Sequence, residues 1–154
     1  MVKVSGETDI RASAKQILEV LADLPSYPAW SAVHKRATVD ERDGADRPAR
    51  ATMAVTAAGL TDEQVIDYAW GQRGVSWTLV HASQQSDQRG SYTITRGPDG
   101  TSHVRYDLEI TPIFPVPGFV VRRVMRHAVQ AATEGLRARV ESLHPAQGPR
   151  RRRA

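Results

Sequence analysis

Pro117-Gly-Phe-Val-Val-Arg-Arg-Val-Met-Arg-His-Ala-Val-Gln-Ala-Ala-Thr-Glu-Gly-Leu-Arg-Ala-Arg-Val-Glu-Ser-Leu143 decides how this chain is read. It follows a proline-rich break, Pro112-Ile-Phe-Pro-Val-Pro-Gly118, and meets no further proline until Pro145. Val121, Met125, Ala128, Ala132, Leu136, Val140 and Leu143 recur at steps of three and four, the period of one helix face. Arg122, Arg123, Arg126, Glu134, Arg137 and Glu141 fall mostly off that face. Pro117 suits the first helical turn, where its missing N–H costs nothing. The spacing predicts a single helix of roughly 39 Å. Its apolar face is narrow in the middle, at Ala128, Ala131, Ala132 and Gly135, and bulky toward both ends. Such a waist either lets a sheet pack closely or leaves room for something that is not protein.

Working back toward the N-terminus, the period changes to that of strands. Thr101 to Thr111 alternates most cleanly, with Val104, Tyr106, Leu108 and Ile110 on one face and His103, Arg105, Asp107 and Glu109 on the other. Gly97-Pro-Asp-Gly100 before it is a strong turn signal. Further strands are predicted at Lys35–Arg42, Ala49–Ala57, Glu63–Trp70, Val75–Val80 and Gln88–Arg96. Val2 to Ile10 reads as a first strand. Ser13 is a candidate N-cap with Gln16 completing a capping box, and the helix it opens runs to about Asp23. A second short helical turn over Tyr27 to Ser31 would carry Trp30 inward. An antiparallel sheet with one apolar face must cover that face. The terminal helix is the partner long enough to do so. The expected architecture is α+β: a strongly curved antiparallel sheet of about seven strands gripping one long helix, with two short helices after the first strand. Residues 1–144 form the expected domain, and residues 145–154 an Arg-rich tail expected to be disordered.

Composition narrows the function classes. The net charge of +4 equals the contribution of Arg150 to Arg153, so the high pI belongs to the tail and gives no specific nucleic-acid signal. The absence of cysteine excludes disulfides, a thiol nucleophile and thiolate metal sites. No run of about 18 apolar residues could span a bilayer, and no signal-like segment is found, so a cytoplasmic location is expected. The dominance of Arg over Lys points weakly to a GC-rich bacterial genome.

The order of segments, together with Ala22-Asp-Leu-Pro-Ser-Tyr-Pro-Ala-Trp30, Tyr68-Ala-Trp70, Val75-Ser-Trp-Thr-Leu79, Gly90-Ser-Tyr92, Val104-Arg-Tyr-Asp-Leu108 and Pro115-Val-Pro-Gly118, resembles the START-like SRPBCC superfamily. Within it the chain is similar to the bacterial polyketide cyclase/dehydrase and lipid-transport group that includes coenzyme Q-binding proteins. The resemblance covers roughly residues 2–143. It implies the helix-grip fold and a long apolar cavity between sheet and terminal helix, which favours the second reading of the alanine waist.

By alternation the cavity would be lined by Trp30, Met53, Val55, Tyr68, Trp70, Trp77, Tyr92, Tyr106 and Leu108, and from the helix side by Phe119, Val121, Met125, Ala128 and Ala132. Arg122 and Arg126 are candidates for the cavity mouth, where they would attract a carboxylate or phosphate. The inward faces read this way hold no Asp, Glu, His, Lys or Arg. Their polar handles are Tyr hydroxyls and Trp N–H groups, which is why binding ranks above acid–base catalysis. The five histidines show no metal-ligand spacing, and no metal or cofactor is expected. The expected function is to bind a lipid, isoprenoid or polyketide, as carrier or sequestering protein. One alternative is a polyketide aromatase, cyclase or dehydratase using Tyr106 and Tyr92. Another is an interaction protein whose cavity has collapsed.

Overall fold

The computed structural model describes residues 1–145; the Arg-rich tail beyond Pro145 lies outside them. Seven strands form one antiparallel sheet: β1 (Val2–Ile10), β2 (His34–Arg42), β3 (Pro48–Ala57), β4 (Leu60–Trp70), β5 (Gly74–Ala82), β6 (Gln85–Arg96) and β7 (Ser102–Pro112). Their order is β1-β7-β6-β5-β4-β3-β2, a meander closed at one edge by the N-terminal strand. Val2 pairs with Ile110 and Ile10 with Ser102, so β1 lies along the whole of β7. The chain then crosses one end of the sheet through α1 (Ala14–Ala22), a 3-10 turn (Leu24–Ser26) and α2 (Tyr27–Trp30), and re-enters at the opposite edge.

The capping box is formed: Gln16 N–H donates to Ser13 Oγ at 3.1 Å, and Ser13 N–H to Gln16 Oε1 at 3.0 Å. Helix α1 buries Ile17, Leu18, Val20 and Leu21 against Val75, Ile94 and Val104, with Leu136 and Val140 completing this end of the core. Leu24 and Tyr27 form a second cluster with Ala51, Met53 and Ile66. Register shifts lie between His34 and Arg36, between Val65 and Ile66, and between Gln85 and Asp87. Irregularities of this kind bend a strand and re-aim its side chains.

The terminal helix lies across the concave face, but it is not one uniform α-helix. It runs as α3 (Gly118–Gln130), a π-helical turn (Ala131–Gly135) and α4 (Leu136–Leu143). Pro117 sits at its N-cap instead of inside the first turn. Leu136 N–H, which would bond Ala132 O in a regular α-helix, donates to Ala131 O and Thr133 O. Ala132 O accepts the Tyr92 hydroxyl at 2.9 Å instead. The alanine waist therefore has two fates. A Cβ on Gly135 would lie 2.8 Å from Trp30 O, so that position is close-packed, whereas Ala128, Ala131 and Ala132 border open space.

Candidate functional site

Between the concave face and α3 is a cavity of about 130 Å³. A second chamber of about 120 Å³ adjoins it, sharing Val55, Ala57, Gln64, Gln85, Ile110 and Val124 as walls. The outer chamber reaches Leu60, Phe114, Val116 and Val121, where the β3–β4 turn faces the loop into α3. A collapsed cavity does not describe this protein.

Aromatic rings form one wall. Trp77 lies 6.2 Å from Tyr68, 5.8 Å from Tyr92 and 6.0 Å from Tyr106, measured between ring centroids, and Tyr92 and Tyr106 are 5.1 Å apart. These tilted contacts are those that ring quadrupoles favour. Trp77 can lie flat on the sheet because its pairing partner is Gly90; a Cβ there would sit 2.1 Å from the indole ring. The hydroxyls divide into two kinds. Tyr27 donates to Leu21 O at 2.6 Å and Tyr92 to Ala132 O at 2.9 Å, so both serve the fold. Tyr68 and Tyr106 line the inner chamber, and among the described residues their hydroxyls have no hydrogen-bond partner. Burial pushes the phenols of Tyr68, Tyr92 and Tyr106 well above their usual value, so they remain protonated donors. Trp30 Nε1 is buried and has no partner among the described residues.

A polar seam runs along another wall. Trp77 Nε1 donates to Gln88 Oε1 at 2.9 Å, Gln88 Nε2 to Gln85 Oε1 at 3.1 Å, and Gln85 Nε2 to Asp62 Oδ2 at 2.6 Å. Asp62 also accepts from Gln64 Nε2 at 3.0 Å, Ser83 Oγ at 2.9 Å and Gln84 N–H at 2.8 Å. A buried carboxylate needs such donors. The seam fixes the amides of Gln64, Gln85 and Gln88, which face the chambers. His34 lines the far end of the inner chamber with Nδ1 2.6 Å from Ser31 Oγ, its ring edge-on to Tyr27. Burial lowers its pKa to about 4, so the imidazole is neutral at physiological pH.

Of the residues expected from sequence, Trp30, Met53, Val55, Tyr68, Trp77, Tyr92, Tyr106, Leu108, Met125, Ala128 and Ala132 line the inner chamber, and Val121 the outer one. Trp70 does not. It ends β4 beyond the cavity, stacks on Tyr68, donates Nε1–H to Pro48 O at 2.7 Å and carries the Arg47 guanidinium over its ring. Phe119, Arg122 and Arg126 also lie elsewhere, on the solvent side of α3, because the inward face turns through Val121, Val124, Met125 and Ala128. The expectation that the interior carries no His or Asp is corrected by His34 and Asp62. Extending the Tyr68–Ile66 alternation backward gives Gln64 and then Asp62, so that half of the seam was readable. Gln85 was not, because the register shift beside it breaks the alternation of β6.

Among the described residues no cluster of three or more His, Asp or Glu side chains is arranged to hold a metal ion. His103 sits on the outer face between Glu7 and Asp9, which raise its pKa.

The family model described as polyketide cyclase / dehydrase and lipid transport matches residues 1–141. No curated protein matches the chain. Among solved structures it is similar to a START superfamily protein from Mycobacterium smegmatis, at 22% identity and a TM-score of 0.82, covering 92% of this chain and 98% of that one. It is also similar to a protein from Thermus thermophilus, at 17% identity and a TM-score of 0.76, covering 92% and 99%. The Zhui aromatase/cyclase from Streptomyces sp. R1128 is similar at 14% identity and a TM-score of 0.77, covering 96% and 98%. At these identities the structural likeness establishes a shared helix-grip fold.

Proposed function

The chain belongs to the polyketide cyclase/dehydrase and lipid transport family, and on that footing we propose that it binds an apolar or amphipathic small molecule between its sheet and terminal helix, as a carrier or sequestering protein. The observation that carries this is an aromatic-walled cavity lined by Tyr68 and Tyr106, whose hydroxyls have no hydrogen-bond partner among the described residues. A core packed for stability alone would fill such space. Enclosure of apolar surface would supply affinity at about 25 cal/mol per Å² before the costs of association. The two hydroxyls and the amides of the polar seam would orient oxygen atoms of the ligand. A lipid, isoprenoid or polyketide meets that description. The test is a titration of the protein with long-chain alcohols and polyhydroxylated aromatics, followed by tryptophan emission and melting temperature. Saturable changes in both support binding. Saturating ligand that moves neither refutes it.

The catalytic reading draws support from His34 and Tyr106 sharing one chamber. Against it, an imidazole with a pKa of about 4 is a weak base for proton abstraction. Turnover of a poly-β-ketone mimic that His34→Gln and Tyr106→Phe both abolish, with binding retained, would favour the enzyme.

A further inference from the structure

The mouth of the outer chamber carries an apolar rim. Leu60, Ile113, Phe114 and Phe119 are 45%, 47%, 58% and 67% exposed. Leu60 and Phe114 line the opening itself, and Ile113 and Phe119 flank the loop between β7 and α3. Phe119 also begins a stripe on the solvent side of α3 that continues through Arg122, Arg123 and Arg126, at i+3, i+4 and i+7. These arginines are exposed, and among the described residues none of them pairs with a carboxylate; the ion pairs of this helical stretch are made further on, at Glu134 and Glu141, with Arg137 and Arg11. From Pro112 to Thr133 the sequence has no Asp or Glu.

We propose that this rim and its arginine stripe dock the cavity mouth onto a lipid surface bearing anionic headgroups. Large apolar side chains gathered at one opening without cover mark an interaction site. Their spacing from the arginines suits a bilayer interface. Arg122 lies about 4.5 Å and Arg126 about 10 Å along the helix axis from Phe119. With Phe119 seated at the headgroup–acyl boundary, the guanidinium groups reach the phosphate layer, where they bond phosphate oxygens in pairs. The rim is continuous with the chamber wall, so an apolar molecule leaving the bilayer would enter without crossing water; this favours a lipid surface over an acidic protein. Among the described residues no helix is long and apolar enough to cross a membrane, so the contact is peripheral. The docking surface is external and stands whichever ligand occupies the cavity.

The test is flotation of the full chain with phosphatidylcholine vesicles and with vesicles that also contain phosphatidylglycerol. Binding is expected to the anionic vesicles alone and to weaken with added salt. Ile113→Ser with Phe119→Ser should lower it roughly tenfold or more. Arg122→Gln, Arg123→Gln and Arg126→Gln should each lower it about fivefold. All these side chains are exposed and none lines either chamber, so melting temperature and tryptophan response to ligand should be unchanged, which separates failure of docking from failure of ligand binding. No flotation, or flotation indifferent to the Ile113 and Phe119 changes, overturns the proposal. So does self-association that these changes abolish without any vesicle binding, which would assign the rim to a second copy of the chain.

Discussion

Replacing Ala128 with Phe separates a cavity from a packed interface by the sign of the stability change. Ala128 lines the inner chamber from the helix side. An aliphatic cavity of about 150 Å³ accepts benzene, and the inner chamber measures about 130 Å³, so one phenyl ring would nearly fill it. Burying a Phe side chain contributes about 2 kcal/mol. Its lower helix propensity relative to Ala costs about 0.5 kcal/mol. The net gain of about 1.5 kcal/mol should raise the melting temperature by roughly 3–6 °C for a domain of this size. The same ring occupies the ligand's place, so affinity should fall by about 100-fold or more. Differential scanning calorimetry with a tryptophan-emission titration reads both quantities. If Ala128 were in direct contact with the sheet, overpacking would instead cost about 1–3 kcal/mol. A lowered melting temperature with ligand affinity retained refutes the cavity argument.

The two kinds of tyrosine should respond differently to loss of the hydroxyl. Tyr92→Phe removes the donor to Ala132 O and should lower stability by about 2 kcal/mol, whereas Tyr106→Phe should leave melting unchanged and weaken ligand binding roughly two- to tenfold; equal melting losses in the two variants would contradict the assignment. Gly90→Ala should push the Trp77 ring off the sheet, shift its emission and destabilise the fold by about 1–3 kcal/mol, and an unshifted spectrum would show that Trp77 does not rely on Gly90. His34 gives a pH signature. Its folded pKa of about 4 lies below the ordinary 6.5, so the unfolded chain takes up a proton first and stability falls as pH drops from 6.5 toward 4, by up to about 3 kcal/mol. His34→Gln should flatten that part of the profile, and an unchanged acid slope would refute the buried neutral imidazole. His103 acts in the opposite sense, because Glu7 and Asp9 raise its pKa: its contribution is present at low pH and fades as pH rises through the folded value.

Much of the fold was legible because its two periods are clean. The steps of three and four from Val121 to Val140 and the alternation from Val104 to Ile110 follow directly from burying one side of each element, whereas Leu143, expected on the same helix face, is 50% exposed. The π-turn at Ala131–Gly135 was not legible, since it arises from packing: the Trp30 carbonyl presses on Gly135 and the Tyr92 hydroxyl takes the Ala132 carbonyl. At the site, residues in mid-strand followed alternation and fell on the cavity wall. Trp70 and Phe119, at element ends, did not. Trp70 ends β4 next to a turn and Phe119 starts α3, where period alone does not say how far the cavity extends. His34 was missed because it opens β2 beside a register shift, and Ser31 just past α2 and the Tyr27 ring within it hold it in the chamber wall.

The central claim is that the cavity holds a small apolar molecule, and native mass spectrometry of the purified full chain, paired with analysis of its solvent extract, tests it most directly. The account predicts a stoichiometric adduct that organic solvent removes and that Ala128→Phe abolishes. A chain that carries no adduct, and acquires none when incubated with long-chain alcohols, isoprenoids or polyhydroxylated aromatics, would contradict it.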